Sequence, residues 1–474
     1  MNEPPDRVEA TDLFATLPPE WPLDPLPAIR AELQARGETM VVLDDDPTGT
    51  QTVHGVPVLT HWTQDLLRRE LASGPAAIFL LTNSRSLARA DAEAINREIG
   101  SALAAAGRAT GRRCVVISRG DSTLRGHYPA ETDALAEGLG TPVDATLLIP
   151  AFISGGRYTI GNVHYAAEGT GLVPAARTPF ARDPAFGYCN SDLAAWVEEK
   201  SEGRIPAATV RSISLETIRG GGPDRVAAAL MGLDRGSVCV VNAASERDLT
   251  VAALGALRAE AGGKRLLYRT AASFVRARAG LAARPLLTAA DLPMPREGSG
   301  LIVVGSYVSS TSSQVAVLRE SGRVATIEVA VERLLSSATR AEEIARVAGL
   351  ADAALRRGED TAVITSRALM AGNDAADSLT IGRMVSASLV AIVRAIPTRP
   401  RYLLAKGGIT SSDLATAGLG VTRAMVLGQI VPGVSVWQLG PESRFPNLPY
   451  IVFPGNVGLP RTLLDMVIAL RAAE

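Results

Sequence analysis

Three consecutive carboxylates, Asp44 to Asp46, follow a short apolar run and precede a turn through Pro47, Thr48 and Gly49. In open α/β sheets, ligands bind outside the carboxyl ends of the strands, so acids at this point face a binding region. Adjacent carboxylates repel one another, and a proton, an arginine or a cation must neutralise them. A carboxylate here could accept the proton of a substrate hydroxyl or bind hydroxyls directly. A solvated acidic turn that caps the next helix is the alternative, and the third acid and the Thr-Gly turn count against it.

A second polar segment, residues 118–131, also follows an apolar run. Arg119 and Arg125 supply forked donors that suit a carboxylate. Asp121, Ser122 and Thr123 supply acceptors and hydroxyls that match a polyol. Gly126 would allow the backbone to approach a ligand closely. A helix N-cap with a surface ion pair is the alternative interpretation. A third segment, 82–87, contains Arg85 and is weaker evidence, because its serines could simply cap the following helix.

The apolar runs before these segments are short and β-branched, as expected for strands buried on both faces. They alternate with helix-like stretches, which predicts an α/β fold with a mostly parallel sheet flanked by helices. Residues 154–182, rich in Gly, Thr, Pro and aromatics, predict long loops or a hairpin that could line a site. We expect an N-terminal arm at 1–35, a first domain at 36–292, and a second α/β domain at 300–474.

Three strand–turn–helix segments in the second domain carry glycines and hydroxyls: 304–314, 405–415 and 453–460. The N-terminus of a helix offers free N–H groups to a phosphate, so each could bind a nucleotide. None matches a P-loop or a clean dinucleotide fingerprint, and each alone is more often an ordinary capping turn. Lys406, beside the paired glycines, could place a charge near a γ-phosphate or could equally be an exposed loop lysine.

The composition excludes several classes of function. Lys plus Arg total 48 and Asp plus Glu total 49, so the electrostatic pattern of a nucleic-acid or anionic-lipid binder is absent. Three scattered cysteines suggest reduced thiols in a cytoplasmic protein. We expect no signal peptide and no membrane span. We also expect no metal site, because the histidines and cysteines do not have the spacing of metal ligands. A homodimer is compatible with the sequence, which carries no signal for the oligomeric state.

As an ordered set, these motifs resemble those of the four-carbon acid sugar kinases, a family long catalogued as a domain of unknown function. The resemblance spans about residues 38 to 470 and covers an acidic turn at 45–49, a DST-x-RG segment at 121–126, and turns at 305–306, 407–411 and 455–458. It implies an ATP-dependent kinase for acids such as threonate, erythronate or an oxo-tetronate. It also implies an acid-binding N-terminal domain, a nucleotide-binding C-terminal domain and an active-site cleft between them.

The resemblance and the chemistry of the residues together assign roles. We expect the catalytic residues to be Asp45 and Asp46, with Mg²⁺ accompanying ATP. The expected substrate-binding residues are Asp44, Thr48, Gly49, Arg85, Arg119, Asp121, Ser122, Thr123, Arg125 and Gly126. The expected nucleotide-binding residues are Ser306, Lys406, Gly407, Gly408, Thr410, Ser411, Gly455 and Asn456.

The chain departs from the family pattern at a few positions of these motifs. Pro47 and Thr50 replace the commoner Leu and Ala, Phe453-Pro454 replaces Lys-Ser, and Lys406 replaces Thr or Ala. The departures at Lys406 and Pro454 leave open a second function, a non-catalytic sugar-acid sensor, and the fold alone also allows a third, an NAD-dependent oxidoreductase. The absence of a glycine fingerprint after the first strand counts against the oxidoreductase.

Overall fold

A computed structural model describes residues 6–367 and 375–471. The chain divides into two compact units. Unit 1 comprises Met1–Asp45 and His61–Ala283, and unit 2 comprises Asp46–Thr60 and Arg284–Glu474. The chain thus passes from one unit to the other between two consecutive acidic residues.

The helices of the described part, in chain order, are α1 (Ala10–Ala15), α2 (Leu26–Arg36), α3 (Gln64–Ala72), α4 (Arg89–Thr110), α5 (Ala130–Leu139), α6 (Leu193–Lys200), α7 (Leu215–Met231), α8 (Glu246–Ala261), α9 (Ala272–Arg278), α10 (Ser309–Glu320), α11 (Val331–Leu335), α12 (Arg340–Arg356), α13 (Ala375–Ala395), α14 (Gly408–Asp413) and α15 (Thr462–Arg471). The strands are β1 (Val8–Glu9), β2 (Thr39–Asp44), β3 (Val56–Leu59), β4 (Ala77–Leu81), β5 (Cys114–Arg119), β6 (Ala145–Ile149), β7 (Arg157–Ile160), β8 (Val163–Glu168), β9 (Gly171–Pro174), β10 (Arg211–Ile213), β11 (Ser237–Val241), β12 (Leu266–Thr270), β13 (Leu301–Val304), β14 (Ala325–Val329), β15 (Thr361–Thr365), β16 (Leu403–Lys406), β17 (Arg423–Val431), β18 (Val434–Leu439) and β19 (Pro449–Phe453).

Unit 1 contains a parallel sheet in the order β10-β11-β6-β12-β5-β2-β4. Strands β2 and β4 are buried at every position, which explains their continuously apolar sequences. The adjacency of β12, β5, β2 and β4 brings the polar segments after these strands to one edge of the sheet. The expectation of a mostly parallel sheet flanked by helices is confirmed.

A smaller antiparallel sheet in unit 1 has the order β1-β9-β8-β7. Strands β7 and β8 form the hairpin expected within residues 154–182. Strand β1 pairs with β9, so the N-terminal arm contributes a strand to this sheet.

Unit 2 contains a mixed sheet in the order β3-β17-β18-β19-β16-β13-β15-β14. The strands from β19 to β14 run parallel, and β3, β17 and β18 are antiparallel to their neighbours. Because β19, β16 and β13 are adjacent, the three glycine turns that follow them lie side by side.

The division into units differs from the boundary expected from the sequence. Residues 46–60 belong to unit 2, because β3 pairs with β17 and Thr50 accepts a hydrogen bond from Trp437 Nε1 at 2.9 Å. These contacts join positions more than 350 residues apart, which local sequence patterns do not report.

Candidate active site

The carboxylates at the end of β2 are each paired with an arginine of unit 1. Arg119 Nη1 lies 3.1 Å from Asp44 Oδ1 and 3.6 Å from Asp45 Oδ1. Arg85 binds both oxygens of Asp45, through Nη2 at 2.9 Å and Nε at 3.2 Å. Burial raises the pKa of the Asp45 carboxyl, and nearby arginines, above all Arg85, oppose only part of that effect. Arg119 and Arg85 are therefore the charged partners of the adjacent carboxylates of this unit.

Arg269, at the end of β12, is a buried member of the cluster that sequence reasoning missed. Its Nη1 donates to Glu131 Oε2 at 2.8 Å and to Ser118 Oγ at 2.9 Å. A Cβ atom at Gly126 would lie 2.8 Å from Arg269 Nη2, and one at Gly120 would overlap the guanidinium. A side chain at position 120 or 126 would therefore clash with the Arg269 guanidinium. The sequence signal for Arg269 was a charged residue near the end of the buried strand β12.

The DST-x-RG segment forms a tight loop held by its own side chains. Arg125 Nε donates to Asp121 Oδ2 at 2.7 Å, and the Thr123 hydroxyl also donates to that carboxylate. Burial alone would raise the pKa of the Asp121 carboxyl, but Arg85 and Arg125 outweigh it and hold that pKa well below its usual range. Leu124 adopts a left-handed conformation with φ 67°, which tightens the turn.

Two residues outside the loop fix its backbone. His164 Nε2 lies 2.8 Å from the Ser122 carbonyl oxygen, and Nδ1 lies 3.0 Å from Thr159 Oγ1. Since a carbonyl only accepts, Nε2 carries the proton and Nδ1 accepts from the threonine. Burial lowers the pKa of His164 to about 4, so the ring is neutral at physiological pH. The Tyr188 hydroxyl donates to the Thr123 carbonyl oxygen at 2.8 Å.

In unit 2, the turns after β13, β16 and β19 pack against one another. A Cβ at Gly305 would overlap Thr410 Oγ1, and one at Gly455 would overlap Ser306 Oγ. Thr311 Oγ1 donates to the Gly455 carbonyl oxygen at 2.7 Å. The glycines are therefore needed where the turns approach one another closely.

The hydroxyl-bearing residues expected at these turns have different surroundings. Ser411 is buried, and its hydroxyl lies within hydrogen-bond distance of the carbonyl oxygens of Ala405 and Gly407, at 2.9 and 2.7 Å. Thr410 Oγ1 lies 3.2 Å from the position of a Cβ at Gly407. Asn456 is exposed. Ser411 thus stabilises the turn, whereas Asn456 is accessible to a ligand.

Lys406 is fully buried, with 0% of its side chain exposed. Its Nζ donates to the Pro454 carbonyl oxygen at 3.2 Å and lies 3.5 Å from the centroid of the Phe453 ring. Burial lowers the pKa of this ammonium group to about 7. The interpretation of Lys406 as an exposed loop lysine is therefore wrong. Phe453 and Pro454, which contact Lys406, are also positions at which the chain departs from the family pattern.

Asp46, Thr48 and Gly49 belong to unit 2. Asp46 Oδ1 accepts from the Thr48 N–H at 2.8 Å and begins the short 3₁₀ helix Pro47–Thr52. Its Oδ2 lies 3.1 Å from the position of a Cβ at Gly408, so Asp46 is beside the paired-glycine turn. The expected acidic turn thus places one carboxylate with the glycine turns.

Thr50 follows within the same turn and explains one departure from the family pattern. Its hydroxyl contacts both Ser435 Oγ, at 3.1 Å, and Trp437 Nε1. This buried side chain therefore anchors the turn to β18.

No group of three or more His, Cys, Asp or Glu side chains among the described residues is arranged to hold a metal ion. No described helix combines the length and apolar character needed to cross a bilayer.

Comparisons with known proteins match both units. Family models match a sugar-binding N-terminal domain at residues 40–278 and a nucleotide-binding C-terminal domain at residues 301–463. A D-erythronate kinase from Heliobacterium modesticaldum is 28% identical over 414 residues, which cover 84% of this chain and 87% of the relative. A D-threonate kinase from Cupriavidus necator is 28% identical over 344 residues, covering 69% and 72%.

A solved structure extends the comparison to the fold. A crystal structure from Salmonella typhimurium LT2, described as a tRNA synthase, has a TM-score of 0.66 and 20% identity, and the match covers 92% of this chain and 99% of that one. At this identity the likeness shows the shared fold alone.

Proposed function

Because the chain belongs to the four-carbon acid sugar kinase family, a family of phosphotransferases that act on alcohol groups, we propose that it transfers the terminal phosphoryl group of ATP to a hydroxyl of a four-carbon sugar acid. Threonate, erythronate and oxo-tetronates are the candidate acceptors. One observation carries the proposal. The unit that matches a sugar-binding domain has a buried cluster of arginines and carboxylates, and the unit that matches a nucleotide-binding domain has three packed glycine turns.

The acceptor would bind at the strand ends of unit 1. Carboxylates such as Asp45 accept hydrogen bonds from hydroxyl groups, and arginines bind an acid group in a forked geometry. Gly120 and Gly126 leave only backbone on their side of the Arg269 guanidinium, whose Nη1 is bound by Glu131 and Ser118. The mixture of fixed acceptors and cations matches a small molecule that is both polyol and anion.

The phosphates of ATP would bind at the turns of unit 2. Gly305, Gly407 and Gly455 leave no Cβ atoms between the turns, so the backbone N–H groups of this region can approach an anion. Lys406 lies beneath these turns and would supply positive charge once an anion offsets its burial. Magnesium that accompanies ATP would offset phosphate charge, and one or two carboxylates commonly suffice to hold it.

Transfer would proceed by in-line attack of the acceptor hydroxyl on the γ-phosphorus. The new oxygen–phosphorus bond forms as the bond to ADP breaks, and the hydroxyl proton passes to a carboxylate. We assign the proton to Asp46, because Asp45 already accepts from Arg85 through both oxygens. Asp45 would then orient the acceptor. General-base assistance of this kind contributes about 10²–10⁴-fold.

The test is ADP release from the purified protein with Mg-ATP and a panel of three- to six-carbon hydroxy-acids and their oxo forms. Release stimulated by one four-carbon acid, with phosphate found on that acid, supports the proposal. Stimulation only by longer or shorter acids would refute the four-carbon assignment. ATP binding without any turnover would favour a sugar-acid sensor instead.

A further inference from the structure

The arginines near the strand ends of unit 1 differ in whether they have an acidic partner. Five lie in or beside the cluster: Arg85, Arg119, Arg125, Arg157 and Arg269. Four of them are paired with an acidic side chain. The pairs are Arg85–Asp45, Arg119–Asp44, Arg125–Asp121 and Arg269–Glu131. Within the described part of the chain, Arg157 is the member of the five for which no carboxylate lies within 4.0 Å.

Arg157 begins β7 in the small antiparallel sheet and reaches the DST-x-RG loop. Its guanidinium carbon lies 5.7 Å from the centroid of the Phe180 ring, and that of Arg125 lies 5.1 Å from the same centroid. Burial lowers the pKa of Arg157, and the charge of Arg125 adds to this, whereas Asp121 opposes it. Two cations thus flank one ring, and one of them is partly desolvated without a counter-ion, an arrangement that favours a bound anion.

Arg157 has one donor that the protein satisfies and one buried donor that it leaves without a partner. Nη1 donates to the Gly155 carbonyl oxygen, and Nε is buried with no hydrogen-bond partner in the described structure. The edge formed by Nε and Nη2 can bind a carboxylate through two parallel hydrogen bonds. In Arg85 this same edge is already occupied by Asp45.

We propose that Arg157 binds the carboxylate of the acceptor through its Nε–Nη2 edge, with Arg125 alongside, and so makes the enzyme select acids over neutral polyols. This inference rests on the proposed function and deepens it. The chemistry recognised is a planar carboxylate on a small hydroxylated molecule. Arg85 and Arg119, which are also expected substrate-binding residues, hold Asp45 and Asp44.

The experiment compares one acid that the wild-type protein phosphorylates with the primary amide of that acid, which has the same shape and no charge. In Arg157→Gln, kcat/KM for the acid should fall about 10- to 100-fold, the range for a hydrogen bond to a charged group. The kcat/KM for the amide should change less than about twofold, and KM for ATP should stay at the wild-type value. Arg182→Gln is the matched control, because Arg182 is an exposed arginine close in sequence to Phe180.

The possible outcomes separate the two proposals. If the wild-type protein phosphorylates no acid, the proposed function fails before any variant is made. If it does, but Arg157→Gln loses acid and amide activity equally or loses neither, the inference about Arg157 is overturned alone. Arg157→Lys keeps a charge without the fork and covers the case in which the glutamine variant does not fold. It should retain preference for the acid over the amide, but with a raised KM for the acid, and an unchanged KM would also overturn the inference.

Discussion

Replacing Lys406 with methionine should stabilise unit 2 while it impairs nucleotide use. Lys406 is fully buried, and its recorded polar partner is the Pro454 carbonyl oxygen. Methionine has a similar length, and its sulfur can keep a favourable contact with the Phe453 ring. The substitution therefore removes the cost of burying an ammonium group without leaving a large cavity.

The magnitude follows from the pKa of the lysine. Burial lowers that pKa from 10.5 to about 7, and each pKa unit corresponds to about 1.4 kcal/mol. The charged form is therefore disfavoured in the folded protein by about 5 kcal/mol at most. Between pH 7 and 10.5 the unfolded chain binds more protons at this position, so wild-type stability rises with pH in that window. The advantage of Lys406→Met should be greatest at pH 7 and below, and should shrink by about 1.4 kcal/mol per pH unit above it.

Urea unfolding at pH 7, 8 and 9 measures this advantage. Incorporation of 5-fluorotryptophan gives ¹⁹F NMR signals in which Trp437, in β18 of unit 2, reports separately from the other tryptophans. Lys200→Met, at the end of α6 in unit 1, is the control and should leave the Trp437 transition unchanged. If Lys406→Met is less stable than the wild type at pH 7, or if its advantage is the same at pH 7 and 9, the reasoning about a costly buried charge is refuted.

Three further predictions concern the expected site. Gly120→Ala should weaken acid binding and spare ATP binding in separate calorimetric titrations, because the new methyl group would overlap Arg269; weaker binding of both ligands would contradict this. Wild-type stability should fall by about 3 kcal/mol between pH 6.5 and 4, since the pKa of His164 is about 4 and the unfolded chain takes up its proton first. His164→Gln should reduce this loss in acid titrations of urea unfolding, and an equal loss in both proteins would exclude His164 as the cause. Asp46→Asn should lower kcat about 10²–10⁴-fold with an unchanged melting temperature, and a near-normal kcat would remove Asp46 from the role of base.

Sequence reasoning predicted those parts of the fold that depend on local composition. Buried parallel strands such as β2 and β4 are continuously apolar, and the sequence marks them directly. Strand β3 was not predicted, because it is four residues long and contains Pro57. Its place in the sheet depends on pairing with β17, more than 350 positions away.

The site was predictable where polar residues directly follow a core strand, and much less so elsewhere. Asp45, Arg119 and Asp121 belong to short motifs at strand ends, and the structure of unit 1 brings them together. Arg269 lies inside a strand, and Arg157 lies in a hairpin of a separate small sheet. For these residues the sequence shows a charged side chain but not its partners, because the partners come from distant elements.

The three consecutive carboxylates illustrate how a local conflict is resolved by tertiary structure. Asp44 ends β2 and Asp45 follows it directly, and the carboxylates of both lie near one nitrogen, Arg119 Nη1. Arg119 and Arg85 offset the first two within unit 1, and the chain enters unit 2 at the third, which caps a 3₁₀ helix beside Gly408. An acidic run that would be unfavourable in isolation therefore supplies two fixed acceptors to one unit and a third carboxylate to the glycine turns of the other. This division of roles is the physical reason why exchanging Asp45 and Asp46 for their amides should have different effects, the first on acid binding and the second on turnover.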